Sequence, residues 1–201
     1  DLLRGNIEET IERRKPKIFE VQTENQENVK VLIEYIKPET HLIIVGDNYD
    51  VLAMLGIATE LGWKCSVVGK AKKLSKRVYK LAKTVVDYDD AHTLSVNDHT
   101  AVLLMSHDYN WDRMMIPVFV NQKPGYIGML GPKKRLIKMQ GEFDDIDLSK
   151  MDNFYSPTGL EIGAESPAEI ALSMAAEIIA TFRGKSGQSL HLKEGTIHDR
   201  D

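Results

Sequence analysis

Apolar and polar residues follow two different periods between about residue 41 and residue 182. Short apolar runs rich in valine, isoleucine and leucine are typical of buried strands, whereas apolar residues three or four positions apart predict helices. The pattern predicts strands at residues 42–45, 63–68, 85–86, 101–105 and 126–130. It predicts helices at residues 50–61, 72–82 and 111–120, a basic helix that begins at Gly131–Pro132, and a helix at residues 166–182.

The last of these helices has the clearest start signal. Ser166-Pro-Ala-Glu169 has the sequence of a capping box, with proline at the first helical position. The apolar residues that follow form a wide face, so we expect this helix to be mostly buried and to end near Gly184.

Strands that alternate with helices and are apolar on both faces predict a parallel sheet covered on both sides. The predicted fold class is α/β, a Rossmann-like doubly wound parallel sheet. Ligands of such sheets bind beyond the carboxyl ends of the strands, where the strand order reverses. With the usual order, that point lies between the strand ending at Val45 and the strand ending at Met105.

The first 38 residues have a different pattern. Residues 17–20 and 29–36 predict two strands joined by the polar turn at residues 24–28, so a short β-hairpin is expected before the main domain. We therefore predict a small unit at residues 1–38, a helix plus the hairpin, and a Rossmann-like domain at residues 39–201. The chain begins at Asp1 and not at a methionine, and we expect that upstream residues are missing.

The loop after the first strand of the main domain differs from a dinucleotide-binding loop. In the G-x-G-x-x-G pattern the glycines allow the backbone to approach a pyrophosphate, and here the three positions are Gly46, Asn48 and Val51. The acidic residue expected after the second strand, which would hold a ribose hydroxyl, is Gly69. Since Asn48 tolerates a left-handed backbone, phosphate binding is weakened and not excluded.

Three loops are expected to meet at the predicted ligand edge: residues 46–50, residues 106–108 and the segment that begins at Gly128. Gly131-Pro-Lys-Lys-Arg135 places free amides and cations at a helix start, which favours an anion site. Cations in a first turn also oppose the helix dipole, and many of them face solvent. The candidate binding residues are Gly46, Asp47, Asn48, Asp50, Ser106, His107, Asp108, Gly128, Gly131, Lys133 and Arg135.

Three of these candidates have alternative interpretations. His107 could contact a ligand, transfer a proton or bind a metal, and it could equally cap a neighbouring helix. Asp50 and Asp108 precede predicted helices, and the N-cap role is the stronger interpretation for both. No nucleophile or acid–base pair stands out, so no catalytic residue is predicted. The other histidines have no metal-ligand spacing, so no metal site is predicted either.

Composition limits the function. The net charge is −4, which argues against a general nucleic-acid role. The single cysteine, Cys65, excludes a disulfide framework, and a reduced, cytoplasmic compartment is expected. No apolar run approaches the roughly 20 residues of a membrane span, and no signal peptide is visible.

At Ser106-His-Asp108, residues 126–135 and residues 156–173 the chain closely resembles the XdhC/CoxI family, and Gly195-Thr-Ile-His198 is similar to that family's ending. These proteins are maturation factors of molybdenum hydroxylases such as xanthine dehydrogenase. The resemblance covers residues 33–201. It implies binding of molybdenum cofactor (molybdopterin or its nucleotide form), its delivery to an apo-molybdenum hydroxylase, contact with a cysteine desulfurase, and a homodimer.

The chain departs from the family pattern in three places. The family's loop G-A-G-H-x-A is here Gly46-Asp-Asn-Tyr-Asp-Val51, and the aspartate usual after the second strand is Gly69. The family's cysteine-containing N-terminal module is absent or reduced to the first ~36 residues.

Two other functions stay open: an NAD(P)-dependent oxidoreductase with a degenerate loop, and a ligand-free protein-interaction module. For the first, lysines near Gly69 favour NADP over NAD, because a 2′-phosphate prefers cations.

Overall fold

The computed structural model describes residues 3–194, so the family-like ending at residues 195–198 lies outside the described residues. The chain divides into two compact units, Asp1–Pro38 and Glu39–Asp201. The first contains helix α1 (Arg4–Arg13) and strands β1 (Lys17–Gln22) and β2 (Asn28–Ile33), which pair antiparallel. The predicted hairpin is confirmed, with a second strand shorter than expected.

The second unit alternates strands and helices. Its strands are β3 (His41–Val45), β4 (Lys64–Val68), β5 (Thr84–Val86), β6 (Thr100–Leu104), β7 (Tyr126–Met129) and β8 (Phe154–Tyr155). Its helices are α2 (Asp50–Glu60), α3 (Lys76–Leu81), α4 (Tyr109–Val120), α5 (Lys133–Gln140) and α6 (Pro167–Phe182). Short 3₁₀ segments lie at Tyr88–Thr93, Leu148–Lys150 and Leu190–Leu192.

The six strands form one parallel sheet in the order β5-β4-β3-β6-β7-β8. The Rossmann-like fold class is confirmed. The order reverses between β3 and β6, so the switch point of the sheet lies where the sequence predicts it. The two-residue strand β8 was not predicted, because two residues are too few to show the alternation of apolar and polar positions that marks a strand.

Alternate residues of the central strands face opposite layers, as the period of a strand requires. Leu42 and Ile44 pack with α2 and α6, whereas Ile43 and Val45 pack with α4 and the 3₁₀ segment at Tyr88–Thr93. All four side chains are fully buried. Both faces of the sheet are therefore covered, and the loops at the strand ends are free to form a site.

The helix ends also follow the sequence signals. Ser166 Oγ accepts from Glu169 N at 3.3 Å, and Glu169 Oε2 accepts from Ser166 N at 2.8 Å, so the predicted capping box is confirmed.

The basic helix predicted at residues 72–82 is wrong in its first turn, because α3 begins only at Lys76. Lys73, which precedes it, lies in a turn where its ammonium contacts the Asp47 carboxylate.

Candidate functional site

Gly46 directly follows β3, at a point where the chain passes very close to the end of β6. A Cβ at this position would lie 2.8 Å from the Met105 carbonyl oxygen, so only glycine fits. The Gly46 amide donates to the Val68 carbonyl at 2.9 Å, which ties the loop to β4. Close packing between the ends of the strands thus explains the glycine at the first position of the dinucleotide pattern.

Asn48 stands at the position of the missing second glycine and uses its side chain to close the loop. Its Nδ2 donates to the Met105 carbonyl at 2.6 Å, and its Oδ1 accepts from the Asp50 amide at 2.9 Å. Its φ is not in the left-handed range, so the expected backbone substitution for glycine does not occur. The second bond occupies the Asp50 amide, a donor at the start of α2 that a phosphate-binding loop offers to its ligand.

Asp47 reaches from this loop to the end of β4. Its carboxylate accepts from the Lys70 amide at 3.2 Å and from Lys73 Nζ at 3.4 Å, and the side chain is 7% exposed. Gly69 makes room for it, since a Cβ at residue 69 would lie 3.0 Å from Asp47 Cβ. A carboxylate therefore lies beside the strand end where the acidic residue of dinucleotide-binding domains is missing.

Lys70 packs on two aromatic rings beyond the end of β4. Its Nζ lies 2.7 Å from Asp87 Oδ1 and 5.0 Å from the Trp111 ring centroid. Trp111 in turn stacks on Tyr88, with centroids 4.0 Å apart. The ion pair raises the pKa of Lys70 and lowers the pKa of Asp87. Lys70 and Lys73, two of the three lysines near Gly69 that favoured NADP, are thus paired with carboxylates, whereas Lys72 is exposed.

Tyr88 carries a buried hydroxyl with no hydrogen-bond partner among the described residues. The residue is 2% exposed. Burial raises the pKa of its phenol, and the negative charges of Asp47 and Asp112 raise it further. An unpaired buried hydroxyl is costly, so this atom calls for a small polar partner such as a water molecule.

His107 adopts a left-handed backbone, with a φ of 60°. For a residue other than glycine this conformation is uncommon, although histidine adopts it more readily than most residues, and Arg14, Gln26 and Lys123 share it elsewhere in the described chain. Its Nε2 lies 2.7 Å from Asp50 Oδ2, with side-chain exposures of 50% for His107 and 14% for Asp50. The pair joins the second loop to the first turn of α2, and the imidazole is half accessible to a ligand. Asp50 is thus not the N-cap of α2, because that position is held by Tyr49.

Asp108 has the predicted N-cap role. Its Oδ1 accepts from the Asn110 and Trp111 amides at 2.8 and 3.2 Å, at the start of α4. The capping interpretation is confirmed for Asp108.

Asp112 joins the second and third loops, and sequence reasoning missed it. Its Oδ1 accepts from Ser106 Oγ at 2.6 Å and from the Ser106 amide at 3.2 Å, and its Oδ2 accepts from an Arg135 Nη at 2.6 Å. The side chain is 1% exposed. Burial raises the pKa of its carboxyl group, against the lowering effect of the Ser106 hydroxyl and Arg135. The sequence feature that could have drawn attention to Asp112 is its i, i+4 spacing from Asp108, which places both carboxylates on the same side of α4.

The third loop is formed by residues 130–135. Gly131 has a φ of +126°, which only glycine adopts readily. Lys133 is exposed at the start of α5. Arg135, predicted as a free cation, is engaged with Asp112, although its buried Nε has no partner among the described residues. Gly128 lies inside β7, where a Cβ would collide with the Thr158 hydroxyl, so packing explains this glycine.

Three buried side-chain polar atoms without a partner are found among residues 3–194: Tyr88 Oη, Arg135 Nε and Ser156 Oγ. Each belongs to a segment that follows a strand of the sheet, namely β5, β7 and β8. The carboxyl edge therefore holds the unsatisfied polar groups of the described fold, which is the property expected of a binding edge.

Within the same described range, no group of three or more histidine, cysteine, aspartate or glutamate residues is arranged to hold a metal ion. None of the helices described is both long and apolar enough to cross a membrane.

Comparison with known proteins gives consistent results. The family model described as the XdhC Rossmann domain matches residues 42–178. A Bacillus subtilis protein named as a probable xanthine dehydrogenase subunit is 29% identical over 160 residues, which are 77% of this chain and 47% of that protein. The uncharacterized protein YqeB of Escherichia coli is 22% identical over 196 residues, 89% of this chain and 36% of that protein.

A crystal structure described as a xanthine dehydrogenase from Bacillus halodurans superposes with a TM-score of 0.67 and 28% identity, covering 83% of this chain and 49% of that one. The chain thus spans less than half the length of each of these relatives. Because the family model matches more than half of its residues, the chain belongs to the family of proteins that carry the XdhC Rossmann domain.

Proposed function

We propose that the chain is an accessory protein for maturation of a xanthine-dehydrogenase-type molybdenum hydroxylase, and that it binds molybdenum cofactor at the carboxyl edge of β3, β6 and β7. Membership of the XdhC family and relatives named for xanthine dehydrogenase support the biological context. The observation that carries the binding proposal is the third loop, where a glycine with a positive φ, an exposed lysine and an unpaired buried Arg135 Nε occur together in the described part of the chain.

The third loop fits the phosphate of the cofactor better than the first loop does. Gly131 gives the turn before α5 its positive φ, and Lys133 is exposed in the first turn of that helix. The first loop instead presents the carboxylates of Asp47 and Asp50, which repel an anion. We therefore place the phosphate end of the cofactor at Gly131 and Lys133, and its pterin end toward His107.

When bound, the cofactor supplies the molybdenum chemistry that the partner hydroxylase uses. The residues of this chain bind it, orient it and limit its contact with water. Its proposed partners are the apo-hydroxylase, a cysteine desulfurase and a second copy of this chain.

The test is native mass spectrometry of protein purified from cells that make molybdenum cofactor, repeated after denaturation. A released pterin or pterin nucleotide supports the proposal, and its mass identifies the form that is carried. Lys133→Glu should lower the pterin content, whereas Lys80→Glu, an exposed change in α3, should not. Protein that is empty, or that releases a nicotinamide dinucleotide, contradicts the proposal.

One observation favours a second candidate, a protein-interaction module without a ligand. Asp47, Asn48 and Lys70 bond to groups of the protein in and around the first loop, as though no ligand were needed there. Protein produced in cells that lack molybdenum cofactor would then bind the hydroxylase as tightly as protein from cofactor-making cells. Binding that requires the cofactor would refute this candidate.

A further inference from the structure

The first loop carries a carboxylate that is nearly enclosed by the protein. We propose that Asp47 is a specificity-determining residue that excludes nucleotides whose phosphate would lie beside the end of β4, such as NADP⁺, and that the groups it binds form a latent phosphate site. These groups are the Lys70 amide and the Lys73 ammonium. The inference does not rest on the proposed function.

The contacts of Asp47 are those that a bound phosphate would make. One oxygen accepts from a backbone amide at 3.2 Å and the other from a lysine at 3.4 Å. Both donors lie just after β4, next to the loop that holds a pyrophosphate in dinucleotide-binding domains. The Asp47 side chain is only 7% exposed, so its carboxylate occupies the position of the phosphate and is not a surface charge.

Gly69, which directly follows β4, leaves room for the Asp47 side chain. A Cβ at Gly69 would lie 2.8 Å from the Gly46 carbonyl oxygen and 3.0 Å from Asp47 Cβ. A side chain at residue 69 would therefore collide with the Gly46 carbonyl oxygen and crowd the Asp47 side chain. In this chain the carboxylate beside the end of β4 belongs to Asp47, in the loop that follows β3.

Charge explains why the carboxylate excludes a nucleotide. A phosphate at the Lys70 amide would meet the Asp47 carboxylate directly, and Asp50 adds a second negative charge to the same loop. Removing the Asp47 carboxylate frees one amide and the Lys73 ammonium, with Lys72 exposed nearby in sequence. The ligand class that the freed groups would take is a nucleotide with a phosphate monoester, for which NADP⁺ is a suitable probe.

The experiment compares NADP⁺ and NAD⁺ binding to the native chain and to Asp47→Ala by isothermal titration calorimetry. Trp111 fluorescence gives a second readout, because Lys70 lies on that ring, and a Trp63→Phe background removes the signal of the other tryptophan. We expect Asp47→Ala to bind NADP⁺ at least about tenfold more tightly than the native chain, since a like-charge contact is removed. NAD⁺, which lacks the 2′-phosphate, should gain less.

Three further variants make the result decisive. Lys73→Ala in the Asp47→Ala protein should abolish the gain. Asp90→Ala removes an exposed negative charge without opening the loop and should leave NADP⁺ affinity unchanged. Asp47→Asn keeps the size of the side chain and should give a smaller gain, so it provides the test if Asp47→Ala does not fold.

Folded variants at residue 47 that bind NADP⁺ no better than the native chain would overturn the proposal. An equal gain in Asp90→Ala would overturn it too, because net charge and not position would then be the cause. Neither result bears on pterin content, so this test and that of the proposed function fail independently.

Discussion

Asp112 links the second and third loops through a buried ion pair and two hydrogen bonds, and its removal should destabilise the fold measurably. Asp112→Ala deletes a side chain that is 1% exposed and accepts two hydrogen bonds from Ser106 and one from Arg135. The variant leaves the Ser106 hydroxyl and the Arg135 guanidinium without their shared partner.

The size of the effect follows from how buried the remaining charge is. Breaking a buried ion pair costs about 3–5 kcal/mol when the other charge stays buried. Arg135 is 20% exposed, so its guanidinium can turn partly toward water, and the cost should fall at the low end of that range. We expect a loss of about 3 kcal/mol in the free energy of unfolding, which lowers Tm by about 6–12 °C for a domain of this size. Asp112→Asn keeps the shape and should cost about half as much.

The assay is urea denaturation followed by circular dichroism, with Asp145→Ala as a matched control. Asp145 is an exposed aspartate, and its replacement should change stability by less than about 0.5 kcal/mol. The double variant Asp112→Ala with Arg135→Ala closes a mutant cycle. Its loss should be smaller than the sum of the two single losses, because the second change removes the uncompensated charge.

An Asp112→Ala protein within about 1 kcal/mol of the native chain would refute this reasoning. Additive losses in the cycle would also refute it, since they would show that the two side chains act separately.

Three further predictions concern buried phenols, glycine packing and a helix cap. Burial raises the pKa of Tyr88 and Tyr126 in the folded protein above the value of about 10 in the unfolded chain. The free energy of unfolding should therefore fall as the pH rises above about 10, because only the unfolded chain then loses these protons. Absorbance at 295 nm should show that the two phenols ionise only when the protein unfolds. Gly128→Ala should cost about 1–3 kcal/mol in a denaturation experiment, whereas Gly56→Ala, in an open helix position, should stabilise slightly. Ser166→Ala should cost about 1 kcal/mol by the same measurement, and an unchanged midpoint would show that the capping box contributes nothing.

Most of the sheet could be predicted because its signals are local. Buried strands such as β3 and β6 are continuous apolar runs, and the capping box at Ser166 is a four-residue pattern. The start of α3 could not be predicted, because Lys73 lies in a turn and contacts Asp47 from another part of the chain. A helical period in the sequence says nothing about such a long-range contact.

The site divides in the same way. The three loops and the N-cap role of Asp108 follow from strand ends and helix starts, which the sequence marks. The contacts of Asp47 with Lys70 and of Asp112 with Arg135 span 23 residues each, and no spacing rule connects residues so far apart. Sequence reasoning can therefore place the edge of the sheet, but it cannot say which polar side chains there are already paired.

The pairing of those side chains divides the carboxyl edge into two parts with different properties. On the β4 side, Asp47 and Lys70 bond to neighbours, and the stacked rings of Trp111 and Tyr88 fill the space beyond. On the β7 side, within the described residues, Arg135 keeps an unpaired Nε, and Lys133 is exposed at the start of α5. His107 lies between the two parts, in a strained left-handed conformation. The unpaired Arg135 Nε, the exposed Lys133 and the half-exposed His107 imidazole all lie in one part of the edge, so the part from His107 to the start of α5 is where a ligand should be sought.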